Sequence, residues 1–353
     1  MILAANTSDK APPGAFFCPL LTCLAMYYHI YMKKLVIIAV LALLAGGVLW
    51  FVLTQYNVAP ALPQAEEKEI VLFIAEPIGG NTADSPVFQA SGKEYNPFIK
   101  YVASKLASYG VKDGNFVAVQ NPYEASTLMR QGKLDIYVDS PFPAYVVAKL
   151  AGAEPIANRW KREQEFYHSN IFVKKDSPIK TLDDLKGKMM VFQKPDSTSA
   201  YFLPKAELIK RGYTFTQKTG PGDKVLPNEI GYYFASGDVE EFQDVLTGRA
   251  AASAQNDVDF KAIAGKDADN YRFIFSTIDV FRHVVVIRAG LDSKLKNAIK
   301  QILLDMDKTP EGQKILSDFK KTTKFSAFLP NAETAFKGIS ELTALIEKEI
   351  IGQ

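Results

Sequence analysis

Leu128-Met129-Arg130-Gln131-Gly132-Lys133-Leu134-Asp135-Ile136-Tyr137-Val138-Asp139-Ser140 decides how the chain is read. A helical ending, a glycine, a basic residue, a short apolar run and a polar loop follow one another. Leu246-Thr247-Gly248-Arg249-Ala250-Ala251-Ala252-Ser253-Ala254-Gln255-Asn256-Asp257 repeats that order. Glycine just past a helix tolerates the left-handed turn that a β-carbon disfavours. The short apolar run behind it reads as a buried strand. In open α/β sheets ligands bind beyond the carboxyl ends of the strands, which makes both polar loops candidate site loops. The echo predicts two similar α/β lobes.

Working outward, short apolar runs alternate with amphipathic helices from Glu69 onward, the pattern of a mostly parallel sheet. Strands are expected at Glu69–Ala75, Phe116–Gln120 and Leu134–Val138, with helices over Tyr95–Tyr109 and from Pro122 to Met129. A second set has strands at Ser169–Lys174, Met189–Phe192, Tyr213–Gln217 and Ala250–Ala254, and helices after Ser197 and over Asp238–Leu246. Thr181 with Asp184 resembles a capping box. Strands at Phe273–Ser276 and His283–Ile287 lead back to helices beginning near Leu291, Pro310 and Asn331.

The chain has 353 residues, 48% hydrophobic and 23% charged, with a formal net charge of +2. That length suits two domains plus an export segment. The near-neutral balance gives no electrostatic reason to expect nucleic acid. Cys18 and Cys23 both precede the apolar N-terminal segment, so the globular part has no disulfide, thiolate or cysteine–zinc chemistry. Leu35–Leu53 carries no charge, and Lys33-Lys34 stand before it. Basic residues hold that end in the cytoplasm, so the remainder is expected outside it. The run reads equally as a transmembrane anchor or as a signal cleaved near Ala59-Pro60-Ala61. The expected division is an upstream extension at 1–31, signal or anchor at 32–54 and a linker at 55–68. A first lobe follows, made of 69–165 plus 276–353, with a second lobe at 166–275.

Pro195-Asp196-Ser197-Thr198-Ser199-Ala200-Tyr201 lies where a strand gives way to a helix. Unpaired amides at a helix start, with three consecutive hydroxyls, can surround a tetrahedral oxyanion without a basic side chain. The plainer reading is that Ser197 caps the helix. In the facing loop, Ser140 and the following backbone offer donors, Tyr145 offers a hydroxyl, and Tyr137 neighbours Asp139. Asp139 suits a ligand oxygen that keeps its proton, or an amine. Asn256 and Asp257 either meet the ligand or cap the helix that follows, and Tyr95 is placed to line the cleft. His29, His168 and His283 read as structural. No GxSxG, HExxH, Walker A or dinucleotide glycine pattern occurs, and Gly79-Gly80-Asn81 reads as a turn. The sequence predicts no enzyme, metal or cofactor.

At this point a family resemblance is specific. Tyr123-Glu124-Ala125, Gly132-Lys133-Leu134-Asp135, Ser140-Pro141 through Tyr145, Asp176-Ser177, Leu182-Asp183-Asp184-Leu185-Lys186-Gly187-Lys188, Phe192 with Pro195–Ser199, and Thr309-Pro310-Glu311-Gly312 with Ile315-Leu316 carry it. Over roughly Glu69–Phe328 the chain resembles the phosphate/phosphonate-binding components of ABC transporters. The resemblance implies the two-lobed type II periplasmic binding protein fold, each lobe a mixed sheet flanked by helices, here preceded by one hydrophobic N-terminal helix. It implies that Ser197, Thr198 and Ser199 hold an oxyanion from one lobe, with Tyr145, the Ser140 loop and an acidic residue near Asp257 meeting it. A monomer working outside the cytoplasm with a permease and an ATPase is expected, tied to the membrane through Leu35–Leu53 if that run is retained. Ala200, Ser236-Gly237-Asp238 and Ala251 depart from the family pattern and leave the ligand open. The rival readings are a carrier of the same fold for a carboxylate or amine, and a membrane-anchored sensor module.

Overall fold

The computed structural model describes residues 31–41, 69–77 and 85–350. The chain divides into two compact units, Met1–Glu67 and Lys68–Gln353. In the first unit residues 31–41 form an exposed helix. The remainder of the Leu35–Leu53 run lies outside the described residues, as do both cysteines, Ala59-Pro60-Ala61 and Gly79-Gly80-Asn81. Among the described residues no helix is long and apolar enough to cross a membrane.

The second unit opens with β1 (Ile70–Pro77), α1 (Pro86–Ser104), β2 (Val111–Val119), α2 (Pro122–Arg130), β3 (Ile136–Asp139), α3 (Pro141–Ala151) and β4 (Glu154–Lys161). The chain then crosses through the short β5 (Phe166–Tyr167) into a second sheet. That sheet holds β6 (Asn170–Lys174), β7 (Met189–Phe192), β8 (Thr214–Gln217), β9 (Glu229–Phe234), β10 (Ala252–Gln255) and β11 (Tyr271–Ser276). Its helices are α4 (Leu203–Lys210), α5 (Asp238–Thr247) and α6 (Asp257–Ala264). The return passes through β12 (Val280–Phe281), which pairs antiparallel with β5, and reaches β13 (Val284–Ile287). Then come α7 (Ser293–Asp305), α8 (Pro310–Asp318), β14 (Thr322–Ser326) and α9 (Ile339–Ile350).

The strand orders are β14-β4-β13-β3-β1-β2 and β11-β6-β10-β7-β9-β8. The repeated sequence unit is realised in both. β3 is parallel to β1 and antiparallel to β13, while β10 is parallel to β7 and antiparallel to β6. β1 and β7 are covered on both faces, so their sequences are near-continuously apolar rather than alternating.

Several local expectations shift. The first helix begins at Pro86, because Ser85 accepts the Phe88 amide at 3.1 Å as its cap and Pro86 fits the first turn. The loop expected after Asp139 is instead a helix from Pro141. Its three residues Pro141-Phe142-Pro143 mask helical periodicity, yet prolines are tolerated in a first turn whose amides lack partners anyway. β4 was not foreseen, since Asn158, Arg159 and Lys161 interrupt its apolar pattern. In Thr309-Pro310-Glu311-Gly312 the threonine caps the Gly312 amide at 3.1 Å, and a β-carbon on Gly312 would stand 2.0 Å from the Met306 carbonyl oxygen. That explains the glycine.

One apolar cluster spans both sheets' helices. Phe142 of α3 stacks on Phe202, just before α4, with centroids 4.1 Å apart, beside Ile339 and Leu342 of α9. Each fully buried phenylalanine contributes about 1.5–3 kcal/mol. This contact brings the carboxyl edges of the two sheets face to face.

Candidate functional site

At the carboxyl end of β7 the chain turns through Ser197, whose hydroxyl accepts the Ala200 amide at 3.1 Å. The cap reading therefore holds for Ser197. Thr198–Phe202 form a π turn that runs into α4. Thr198 faces the other sheet. Its Oγ1 accepts the Phe142 amide at 3.0 Å and donates to Ser140 Oγ at 2.9 Å. The start of α3 and the start of the α4 helical run thus meet head to head through one hydroxyl. Helix starts carry unsatisfied amides and the positive ends of their dipoles. Two such ends pointing at each other repel, and an anion between them relieves the repulsion.

Ser199 is buried and works within its own lobe. It donates to Gln255 Oε1 at 3.1 Å and accepts from Asn256 Nδ2 at 3.1 Å. Asn256 is also the α6 cap, accepting the Asp259 amide at 3.1 Å and donating to Asp259 Oδ2 at 2.8 Å. Asp257 accepts from Asn170 at 2.7 Å and lies 3.4 Å from His168 Nε2. Each hydroxyl of the Ser197–Ser199 run therefore has a protein partner.

Across the gap, Asp139 accepts from the Tyr137 hydroxyl at 2.8 Å and from the Ser140 amide at 2.6 Å. Burial, reinforced by nearby Asp196 and opposed by Lys194, pushes its pKa up to about 6. Tyr145 packs edge-on against Phe336, 5.4 Å between centroids, among the apolar residues around Phe142. Its neighbours among the described residues of this cluster are apolar. Tyr95 is wholly buried against Phe116 and Phe319, and its hydroxyl has no hydrogen-bond partner among the described residues. Burial, then Glu76, raises its pKa well above the usual phenol range.

The structure also gathers groups that local patterns did not single out. Arg159 on β4 is 1% exposed, Arg282 is 4% and His283 is 7%. The Arg159 amide bonds the His283 carbonyl at 3.0 Å, so β4–β13 pairing sets the two side by side. Arg159 donates to Thr322 Oγ1 at 2.7 Å and to the Lys320 carbonyl at 3.1 Å. Among the described residues no carboxylate lies within 4.0 Å of its guanidinium. Arg282 lies 4.4 Å over the Tyr167 ring and 3.6 Å from Asp259, which Arg162 also reaches at 3.1 Å. The Tyr167 hydroxyl in turn interacts with Thr198. Arg282 is thereby linked to Thr198 through Tyr167 and to Ser199 through Asp259 and Asn256. Arg282 Nε and His283 Nδ1, both buried, have no hydrogen-bond partner among the described residues. Burial and then the neighbouring Arg159, Arg282 and Lys161 push the His283 pKa well below its ordinary value, so the ring is neutral. Burial, then Arg282 and Arg159, brings Lys161 down to about 7. The available signals were charged residues inside or beside apolar strands: Arg159 within β4 and Arg282-His283 directly before Val284-Val285-Val286.

Two helical α/β lobes with facing carboxyl edges and two chain crossings define a type II periplasmic binding protein, a class whose site lies between its lobes. Three solved structures have this architecture. A Xanthomonas citri protein solved bound to ATP is 22% identical, with a TM-score of 0.71, covering 79% of this chain and 97% of that one. PhnD1 of Prochlorococcus marinus, solved in complex with methylphosphonate, is 18% identical with a TM-score of 0.58, covering 79% and 98%. A binding protein component of an ABC phosphonate transporter from Pseudomonas aeruginosa is 18% identical with a TM-score of 0.51, covering 80% and 96%. The family model for the periplasmic substrate-binding protein of phosphonate ABC transporters matches residues 88–332. The chain belongs to that family. It is a solute-binding component of a transport system, of a kind that works outside the cytoplasm with permease and ATPase partners.

Proposed function

We propose that the protein captures a phosphorus oxyanion of the phosphate, phosphite or phosphonate type between its lobes and delivers it to an ABC permease for import. The observation that carries this reading is the Thr198 bridge between two helix starts, linked through Tyr167 to buried Arg282. Such a place favours negative charge twice over, by dipole and by guanidinium. The ligands named for two related structures, methylphosphonate and ATP, share a tetrahedral phosphorus oxyanion, which supports the class. Asp139 has both oxygens engaged by Tyr137 and Ser140, which weighs against an amine ligand held there. The protein acts as a monomeric binder without catalysis of its own, exported on the Lys33-Lys34 and Leu35–Leu53 segment. Closure of the lobes around cargo presents one shape to the permease.

Titration calorimetry of the full chain with phosphate, phosphite and methylphosphonate tests the ligand class. Saturable binding of at least one is expected. Heat-silent titrations with all three would remove it.

A further inference from the structure

The hydroxyl loop and the buried cations are linked through Tyr167 and through Asp259 with Asn256, and they are equipped differently. At the loop the side chains already have partners: Ser197 holds the Ala200 amide, Thr198 joins Phe142 and Ser140, and Ser199 joins Gln255 and Asn256. What remains there is the pair of neutral amides that open the Thr198–Phe202 turn, those of Thr198 and Ser199. At the start of α3, Pro141 and Pro143 have no N–H, Phe142 donates to Thr198 and Ala144 donates to the Ser140 carbonyl.

On the β4–β13 side the situation is reversed. Arg159, Lys161 and Arg282 cluster closely enough that each arginine depresses the pKa of Lys161. The carboxylate in direct contact with this trio is Asp259, 3.6 Å from Arg282 and shared with Arg162. Among the described residues no carboxylate pairs directly with the Arg159 guanidinium, which is 1% exposed, and Glu76 and Asp139 act on it only from further off. An anion beside it would offset part of the cost of burying that charge. Three buried polar atoms in this region, Tyr95 Oη, Arg282 Nε and His283 Nδ1, also have no hydrogen-bond partner among the described residues. Buried polar groups are normally satisfied, so a group of orphans beside three clustered cations that share Asp259 as their one close carboxylate among the described residues points to a missing ligand.

We propose that Arg159, Lys161 and Arg282, with the Tyr95 hydroxyl and the His283 ring nitrogen, form a second anion subsite, and that the cargo is an organophosphorus oxyanion carrying a second anionic group. This rests on the reading that the Thr198–Ser199 loop takes the phosphorus oxyanion. The second group is a carboxylate or another phosphoryl group, joined by a short linker so that both ends lie inside the closed cleft. Arg282 is the element common to both parts, because Tyr167 connects it to Thr198 and Asp259 with Asn256 connect it to Ser199.

The test compares methylphosphonate with phosphonoacetate, 3-phosphonopropionate and pyrophosphate by calorimetry on the full chain. At least one doubly anionic probe is expected to bind roughly tenfold or more tighter than methylphosphonate. In Arg282→Gln the ratio of the two affinities is expected to fall toward one. Lys161→Met, at a half-buried position, is the companion variant should Arg282→Gln not fold, and the same fall is expected. Equal affinities in the wild type, or a ratio that survives both substitutions, overturn the second subsite and leave the oxyanion loop standing. Absence of binding by every probe overturns the oxyanion reading itself.

Discussion

Replacing Thr198 with valine removes one oxygen and keeps the shape of the side chain. That oxygen accepts the Phe142 amide at 3.0 Å and donates to Ser140 at 2.9 Å, and both partners belong to the opposite sheet's edge. Phe142 is 2% exposed, so water cannot readily replace the lost acceptor while the lobes are together. A buried amide left unpaired costs about 1–3 kcal/mol. With the lobes apart the same amide is hydrated and costs nothing, so the penalty falls on the closed form alone. With binding coupled to closure as proposed, the affinity is expected to drop by roughly 5- to 150-fold. Calorimetry with methylphosphonate on wild type and Thr198→Val reads this directly. Urea unfolding of the same two proteins separates it from general destabilisation, which should be the smaller effect because the Phe142–Phe202 stack remains. An affinity within about threefold of the wild type would refute the reasoning, since a penalty confined to the closed state cannot then exceed about 0.7 kcal/mol.

Asp139 titrates at about 6 in the folded chain against an ordinary 3.8, so between those values the native state holds the proton that the unfolded chain has lost. Stability contributed by the neutral form is present below pH 3.8 and declines as pH rises toward about 6, by up to about 3 kcal/mol. Asp139→Asn is expected to flatten that slope in urea unfolding across the window. Lys161, at about 7, faces Arg282, Arg159, Asp259 and Glu76, and an anion arriving beside it favours its charged form. Binding near neutral pH is then accompanied by proton uptake, visible as a dependence of calorimetric heat on the buffer's ionisation enthalpy; buffer-independent heats would contradict it. Gly312→Ala places a β-carbon 2.0 Å from the Met306 carbonyl oxygen and is expected to cost about 3 kcal/mol in urea unfolding, with ligand affinity little changed.

The elements that sequence reading located best are those with short-range causes. Met189–Phe192 is a strand as expected, and α8 begins at Pro310, because apolar periodicity and the Thr309 cap are written within a few residues. The repeated helix–glycine–strand unit corresponds to β3 and β10, with Gly132 and Gly248 both in the left-handed region. α3 was hidden because its prolines suppress helical signals, and β4 because polar residues sit inside it. At the site, Ser140 and Thr198 were legible as donors, yet nothing local says that they touch each other.

Sequence alone determined the local alphabet of this protein: alternating strands and helices, their caps and glycine exits, and hydroxyl-rich loops at strand ends. Tertiary structure decided which loops face each other and what charge stands behind them. Arg159 and His283 are far apart in the chain and become neighbours only through β4–β13 pairing, and Arg282 reaches Thr198 only through Tyr167. The physical reason is one of range. Caps and periodicity are energies between residues a turn apart, whereas a buried cation without a counterion is defined by everything around it, and those surroundings exist only after the sheets have formed.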